Sequence, residues 1–293
     1  TNRPYEKMAI VDAGICGENA SSRNSGFAID LPHTVSSDME QLNGAHRYMR
    51  LARSAIAELE TQVKTHNIQC DWSKDGKYHT AVTEQGANDF LNPVADTLKR
   101  LNEPYQWVEK EDLFKKLGTQ HFSRAIYTPG CILMNPAALV RGLADSLPDN
   151  VSIYENSPVT NIEYENGVSI NTPNGSIRAP KMILAANGFS ERFGFVKNKF
   201  VHLSVTASLT RKLNEEEQRI YAVEKAWGVT PANAFGGITM RYTNDKRILI
   251  RQDIRVAMSQ RFSAEKTAKV GIQHKKLFDD RFPMLPDVTM ENS

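Results

Sequence analysis

Residues Lys7–Gly26 read KMAIVDAGICGENASSRNSG, and this stretch decides the fold. Met8, Ala9, Ile10 and Val11 form a continuous apolar run, the pattern of a strand covered on both faces in a parallel sheet, and Asp12 stands at its carboxyl end. A carboxylate in that place accepts hydrogen bonds from the two hydroxyls of an adenosine ribose, as the acid ending the second strand of a dinucleotide fold does. The competing reading is an ordinary strand ending in a solvated Asp. Beyond Asp12 the chain is a tight polar loop punctuated by Gly14, Gly17 and Gly26.

The usual companion of such an acid is a G-x-G-x-x-G turn about 20 residues earlier. Only eleven residues precede Asp12, and none of the 17 glycines falls in that pattern. Either the fold is another one or the chain begins after its first strand and helix.

The loop Ala20-Ser21-Ser22-Arg23-Asn24-Ser25-Gly26 resembles the "GAS-x-RN-x-G" segment of the FAD-dependent D-amino-acid oxidase-like oxidoreductases, the family of glycine and sarcosine oxidases and of gamma-glutamylputrescine oxidoreductase. In that family the loop lies against the flavin and its pyrophosphate. The resemblance therefore implies FAD as cofactor, with Asp12 on the ribose and Ser21, Ser22, Arg23, Asn24 and Gly26 along the loop. Small hydroxyl residues and backbone N–H groups approach a phosphate closely, and Arg adds a planar, permanently charged donor.

Two further segments extend the resemblance. Val151–Ile162, VSIYENSPVTNI, resembles the family strand in which a valine, here Val159, meets the adenine through its backbone; unaided, it reads as a strand and a bend. Met182–Gly188, MILAANG, resembles the family's "LATNG", which implies that Ala186, Asn187 and Gly188 approach the cofactor; unaided, it reads as an apolar strand ending at a glycine.

Composition sets outer bounds. A chain of 293 residues buries a sizeable core and has room for two domains. Its formal net charge is +2, with Lys and Arg scattered among Asp and Glu, so nothing marks a nucleic-acid partner. Cys16, Cys70 and Cys131 lie far apart with no C-x-x-C pair, which argues against a disulfide framework and a zinc site and fits a cytoplasmic setting. No apolar run approaches the ~20 residues of a membrane span.

Between the motifs, Met39, Leu42, Ala45, Met49, Ala52, Ile56, Leu59 and Val63 recur at steps of three and four behind the capping box Ser37–Glu40, which predicts a long amphipathic helix. From Cys70 the pattern turns to short strands and helices. Asn135-Pro136 opens another helix, and Thr160 to Arg178 alternates as a meander around Asn174-Gly175. Beyond Phe195 the chain reads as antiparallel, with a hairpin of Thr239–Tyr242 and Arg247–Arg251.

The predicted fold class is α/β: an FAD-binding dinucleotide fold with a parallel sheet, from 1–69 and 131–194, and a substrate domain with a mainly antiparallel sheet, from 70–130 and 195–293. The function implied is oxidation of the C–N bond of a small-molecule amine or amino acid to an imine. Because the cofactor carries that chemistry, no Ser-His-Asp set or metal cluster is expected, and none is present in the sequence. His33, Arg241 and Tyr242 are the candidate substrate-lining residues, with Arg241 and Arg251 otherwise read as solvated face residues. Alternatives are a non-catalytic piece of the fold, since the phosphate turn is absent, and an RNA-modifying oxidase, which the balanced charge disfavours. The chain by itself is expected to hold FAD weakly.

Overall fold

The computed structural model describes residues 4–32, 39–233, 237–257 and 264–292. His33 and the beginning of the Ser37–Glu40 capping box lie outside the described residues. The fold is α/β, with a small parallel pair and a large, mainly antiparallel sheet.

Met8–Val11 forms a strand and pairs in parallel with Val151–Tyr154, Met8 opposite Val151 and Val11 opposite Tyr154. The expectation that it is covered on both faces is corrected: Met8 is 39% and Ile10 45% exposed, because among the described residues the strand has a single neighbour and nothing closes over its faces. The long helix is Met39–Thr65. Its Val63 and the Leu139 of the Pro136–Asp145 helix share one apolar cluster with Ile68, just beyond the long helix's end. Asn135 caps the second helix, its Oδ1 accepting from the Ala138 N–H at 3.1 Å, while Pro136 occupies the first turn, where no intrahelical N–H is needed. Asn161–Glu163, Val168–Thr172 and Gly175–Ala179 form the meander.

The large sheet has eight strands in the order Met290–Asn292, Leu203–Thr210, Ile248–Val256, Thr239–Tyr242, Trp227–Pro231, Lys77–Ala81, Arg124–Thr128 and Gln106–Glu109. Strands from 70–130 and from 195–293 thus share one sheet, joined by the parallel pairing of Trp227–Pro231 with Lys77–Ala81. Because side chains alternate along a strand, the two faces differ in chemistry. One carries Tyr242, Met240, Val229, Trp227, Ile248 and Ile250 and closes over Leu113, Leu117, Phe278 and Phe282 as the main core. The other carries Lys77, His79, Thr230, Thr239, Arg241 and Arg251. Over this polar face lies a two-stranded ribbon, Phe27–Ala28 against Ile132–Leu133. Contact is close at Gly228, where an added Cβ would stand 2.5 Å from Phe27 Cε1 and 2.7 Å from Leu133 Cδ2.

The expectation of a strand at Met182–Gly188 is corrected. Residues 181–186 form no ladder; their burial alternates, Ile183 is 92% exposed, and a 3₁₀ helix, Asn187–Phe193, follows. A strand is defined by a neighbour that receives its backbone bonds, and among the described residues this segment has none.

Candidate cofactor and substrate site

Asp12 sits half-buried where the Met8–Val11 strand ends. Its Oδ1 accepts from the Gly14 N–H at 2.8 Å and from Asn19 Nδ2 at 3.4 Å, so the carboxylate folds the following turn around itself. The backbone is stitched to the end of the neighbouring strand: Asp12 N–H donates to Tyr154 O at 3.0 Å, Ser157 N–H to Asp12 O at 2.8 Å and Asn156 N–H to Gly14 O at 3.0 Å. Asp12 and the Asn156–Ser157 bend therefore lie along the same end of the parallel pair, with the half-buried Val159 two residues further on. Glu155, which sequence reasoning passed over, accepts from the Cys16 N–H at 2.7 Å and ties the loop from the same side.

The Asn19–Gly26 loop is built on Asn24. Its Nδ2 donates to Ser21 O at 2.7 Å and Ala20 O at 3.3 Å, while its Oδ1 accepts from the Gly26 N–H at 2.9 Å. Asn24 is thus occupied in shaping the loop. Ser22 is buried, whereas Ser21 and Arg23 are exposed and project from the loop surface. Gly26 has φ +74, and an added Cβ would overlap Arg241 Nη1 and Met134 O.

Arg241 is what presses on that glycine. The reading of Arg241 as a solvated face residue is corrected: it is 4% exposed, and its Nη1 donates to Met134 O and, at 3.4 Å each, to Ser25 O and Gly26 O. Burial lowers its pKa, opposed by Asp71, Asp245 and Cys131. Tyr242, one residue on, turns to the opposite face; it is 1% exposed among Tyr221 and Trp227, and it drops out as a substrate-lining residue. Consecutive strand residues cannot both face one site.

Beside Arg241 on the polar face are two more buried or half-buried cations, Lys77 and Arg251, the latter donating to Thr239 Oγ1 at 3.0 Å. Among the described residues none of the three has a carboxylate within ion-pair distance. Asp30, which follows the loop, is 3% exposed and engaged by Arg53 at 2.8 Å, and Arg53 in turn holds Glu103. Lys77 was missed because a lysine opening a strand ordinarily reaches solvent; its alternation with His79, opposite Tyr78, was the available signal. Ala186–Gly188 are not brought to this cluster by any hydrogen bond to Asp12 or to the Asn19–Gly26 loop.

The sequence profile of the "FAD dependent oxidoreductase" family, DAO, matches residues 1–292. The chain belongs to this family. It is 26% identical over 188 residues to the probable oxidoreductase OrdL of Rhizobium meliloti (strain 1021), covering 62% of this chain and 44% of that protein. It is 22% identical over 190 residues to gamma-glutamylputrescine oxidoreductase of Escherichia coli (strain K12), covering 62% of this chain and 43% of that protein. The chain thus matches less than half the length of these relatives. In fold it resembles the crystal structure of glycine oxidase from Geobacillus kaustophilus, with a TM-score of 0.72 and 20% identity over 97% of this chain and 73% of that one.

The residues present fit the family's cofactor. Ser25 Oγ and Arg241 Nε are buried beside the loop without hydrogen-bond partners among the described residues, and exposed Ser21 and Arg23 offer a hydroxyl and a cation on its surface. A buried polar atom left unpaired by the protein is completed by a water or by a ligand, and beside a loop of this kind the two atoms are available to one.

Proposed function

We propose that this protein is a flavin-dependent oxidoreductase of a small-molecule amine, and specifically of an amine that carries a carboxylate. The observation that carries the reading is the polar face of the large sheet: Arg241 and Arg251 stand on it with no carboxylate partner among the described residues, facing the ribbon that follows the Asn19–Gly26 loop. Buried cations of that kind are stabilised by an anion brought from outside. Asp12 would accept from the ribose hydroxyls, and the Ser21–Gly26 loop, with Arg23, would hold the pyrophosphate side; Val159 and Ala186–Gly188 complete the proposed set. FAD, when bound, supplies the acceptor for the hydride equivalent leaving the carbon that bears the amine. The chain's residues hold the substrate's carboxylate against the sheet and exclude water around it. The division into an FAD-binding part, 1–69 and 131–194, and a substrate part, 70–130 and 195–293, belongs to this proposal, as does a cytoplasmic location, which free Cys16, Cys70 and Cys131 support. No helix among the described residues is long and apolar enough to cross a membrane.

The test is anaerobic mixing of the FAD-loaded protein with a panel of amino acids, N-alkyl amino acids and uncharged-chain amines, followed at the flavin absorption bands. Bleaching by carboxylate-bearing amines, with little by the others, is expected. Retained flavin that no C–N substrate bleaches would overturn the reading.

A further inference from the structure

Lys77 opens a strand at the middle of the large sheet, yet it is 4% exposed and lies under the ribbon. Its Nζ donates to Thr230 Oγ1 at 3.3 Å, on the adjacent strand. Thr230 is half-buried, lies opposite His79, and by the pairing of Val229 with Met240 stands opposite Thr239, which pairs with Arg251. Thr230 thus joins the buried amine to the central polar row of the face. The titratable and charged groups around Lys77 are Cys131 and Asp30 from the covering segment, His79 on its own strand and Arg241 two strands away. Asp30 is taken by Arg53, and Cys131 Sγ lies 3.6 Å from Ile132 O. Asp30 Oδ1 and Thr128 Oγ1, the latter on the residue paired with Lys77, are buried without partners among the described residues. Among the described residues Lys77 has no carboxylate within ion-pair distance and a single hydroxyl leading out.

We propose that Lys77, acting through Thr230, is the group that takes the proton from the substrate's ammonium before its C–H bond is broken. The inference rests on the amine-oxidising reading above. An ammonium nitrogen has no lone pair to support the imine that oxidation forms, so an amine bound as its cation must first lose a proton. Thr230 Oγ1, whose hydroxyl donates to Tyr78 O at 3.4 Å, accepts that proton while its own hydrogen turns from that carbonyl and passes to neutral Lys77 Nζ. The substrate is left as the free amine, Lys77 becomes the ammonium, Thr230 is unchanged, and no electrons change hands. A hydroxyl serves both ends, since it donates once and accepts twice. The surroundings of Lys77 favour this proton transfer. Burial pushes its pKa down to about 8, with Cys131 and Asp30 acting the other way, so the neutral form is accessible near physiological pH. Lys77 is a positioning and proton-holding residue; Thr230 is the group that would touch the substrate.

Two measurements test this on the FAD-loaded protein and on its Lys77→Met and Thr230→Val variants. The first is the anaerobic bleaching rate against pH. The wild type should gain rate through an inflection near 8, and both variants should lose that limb, fall about 100-fold near pH 7.5 and recover only as the free amine's own pKa is reached. The second needs no turnover: the 15N chemical shift of bound 15N-labelled 2-aminoisobutyrate, which lacks the reacting C–H, at pH 8.5. The wild type should shift it toward the free amine, and each variant should leave it at the ammonium position. Identical pH limbs and bound 15N shifts in wild type and variants would overturn the role of Lys77 while leaving the oxidase reading intact. A wild type bleached by no amine would overturn both. Should Lys77→Met fail to fold, Thr230→Val carries the same two readouts.

Discussion

Arg241, on a central strand of the large sheet, donates from Nη1 to Gly26 O at 3.4 Å, 215 residues away in sequence. The same nitrogen reaches Ser25 O and Met134 O. One guanidinium thus fixes the distance between the polar face of the sheet and the loop proposed to hold the flavin. The first prediction concerns this clamp. Arg241→Met should leave buried carbonyls unpaired and lower stability by about 2 kcal/mol, since hydrogen bonds to charged donors fall in the range of about 1.5–3 kcal/mol. It should also weaken FAD retention, and Arg241→Lys should restore stability better than retention, because an ammonium lacks the planar fork. Denaturant melts and flavin fluorescence titrations separate the two. A variant that loses substrate affinity but keeps both would return Arg241 to a purely substrate-binding role.

The second prediction is steric. Gly26 combines φ +74 with van der Waals overlap of any Cβ against Arg241 and Met134 O, and neither neighbour has room to retreat because both are buried. Gly26→Ala should destabilise by roughly 2–4 kcal/mol, in the range of strain at a special backbone conformation combined with overpacking. A melting temperature unchanged from wild type would count against the packing described here.

The third prediction separates the two jobs of Asp12. Its Oδ1 holds the Gly14 N–H and Asn19. Asp12→Asn keeps an acceptor for the turn but removes the charge, so it should fold normally and lose about tenfold in FAD affinity, in keeping with one charged hydrogen bond to a ribose hydroxyl becoming neutral. Asp12→Ala should lose the turn as well, with a larger loss. Equal FAD affinity in wild type and Asp12→Asn, measured by fluorescence quenching, would remove Asp12 from the ribose site.

What was legible in the sequence was what local patterning dictates. The Met8–Val11 strand, the long helix and the Asn135 cap follow from periodicity and capping chemistry within a few residues. Met182–Ala186 misled because an apolar run names neither what covers it nor what pairs with it, and here Ile183 stays 92% exposed. The site residues divide in the same way. Asn24 and Gly26 stand in a recognisable loop, but that Arg241 is buried beneath Gly26, and Lys77 beneath the ribbon, depends on which sheet face the ribbon covers. That is a long-range fact: Phe27 meets Gly228 across the whole fold.

The last prediction is a pH dependence of stability at Lys77. Burial lowers its pKa from 10.5 to about 8 in the folded protein. A group whose folded pKa is depressed in this direction binds fewer protons folded than unfolded between about pH 8 and 10.5, so its contribution to stability rises with pH across that window. Below about pH 8 both states carry the charge and the full penalty of burying it is present, of order 3 kcal/mol at about 1.36 kcal/mol per pH unit. Lys77→Met keeps the aliphatic volume without the charge. It should therefore be more stable than wild type by up to that amount at about pH 7, with the advantage shrinking through pH 9 and vanishing near 10.5. Cys131 runs oppositely: burial raises its pKa to about 12, so its contribution falls as pH rises above 9, but it is present in both proteins and largely cancels in their difference. Urea unfolding of the pair at pH 7, 8, 9 and 10 gives the difference directly. A wild-type-to-variant gap that stays flat over this range would show that Lys77 does not titrate in the window, and the proton-holding role assigned to it would lose its physical basis.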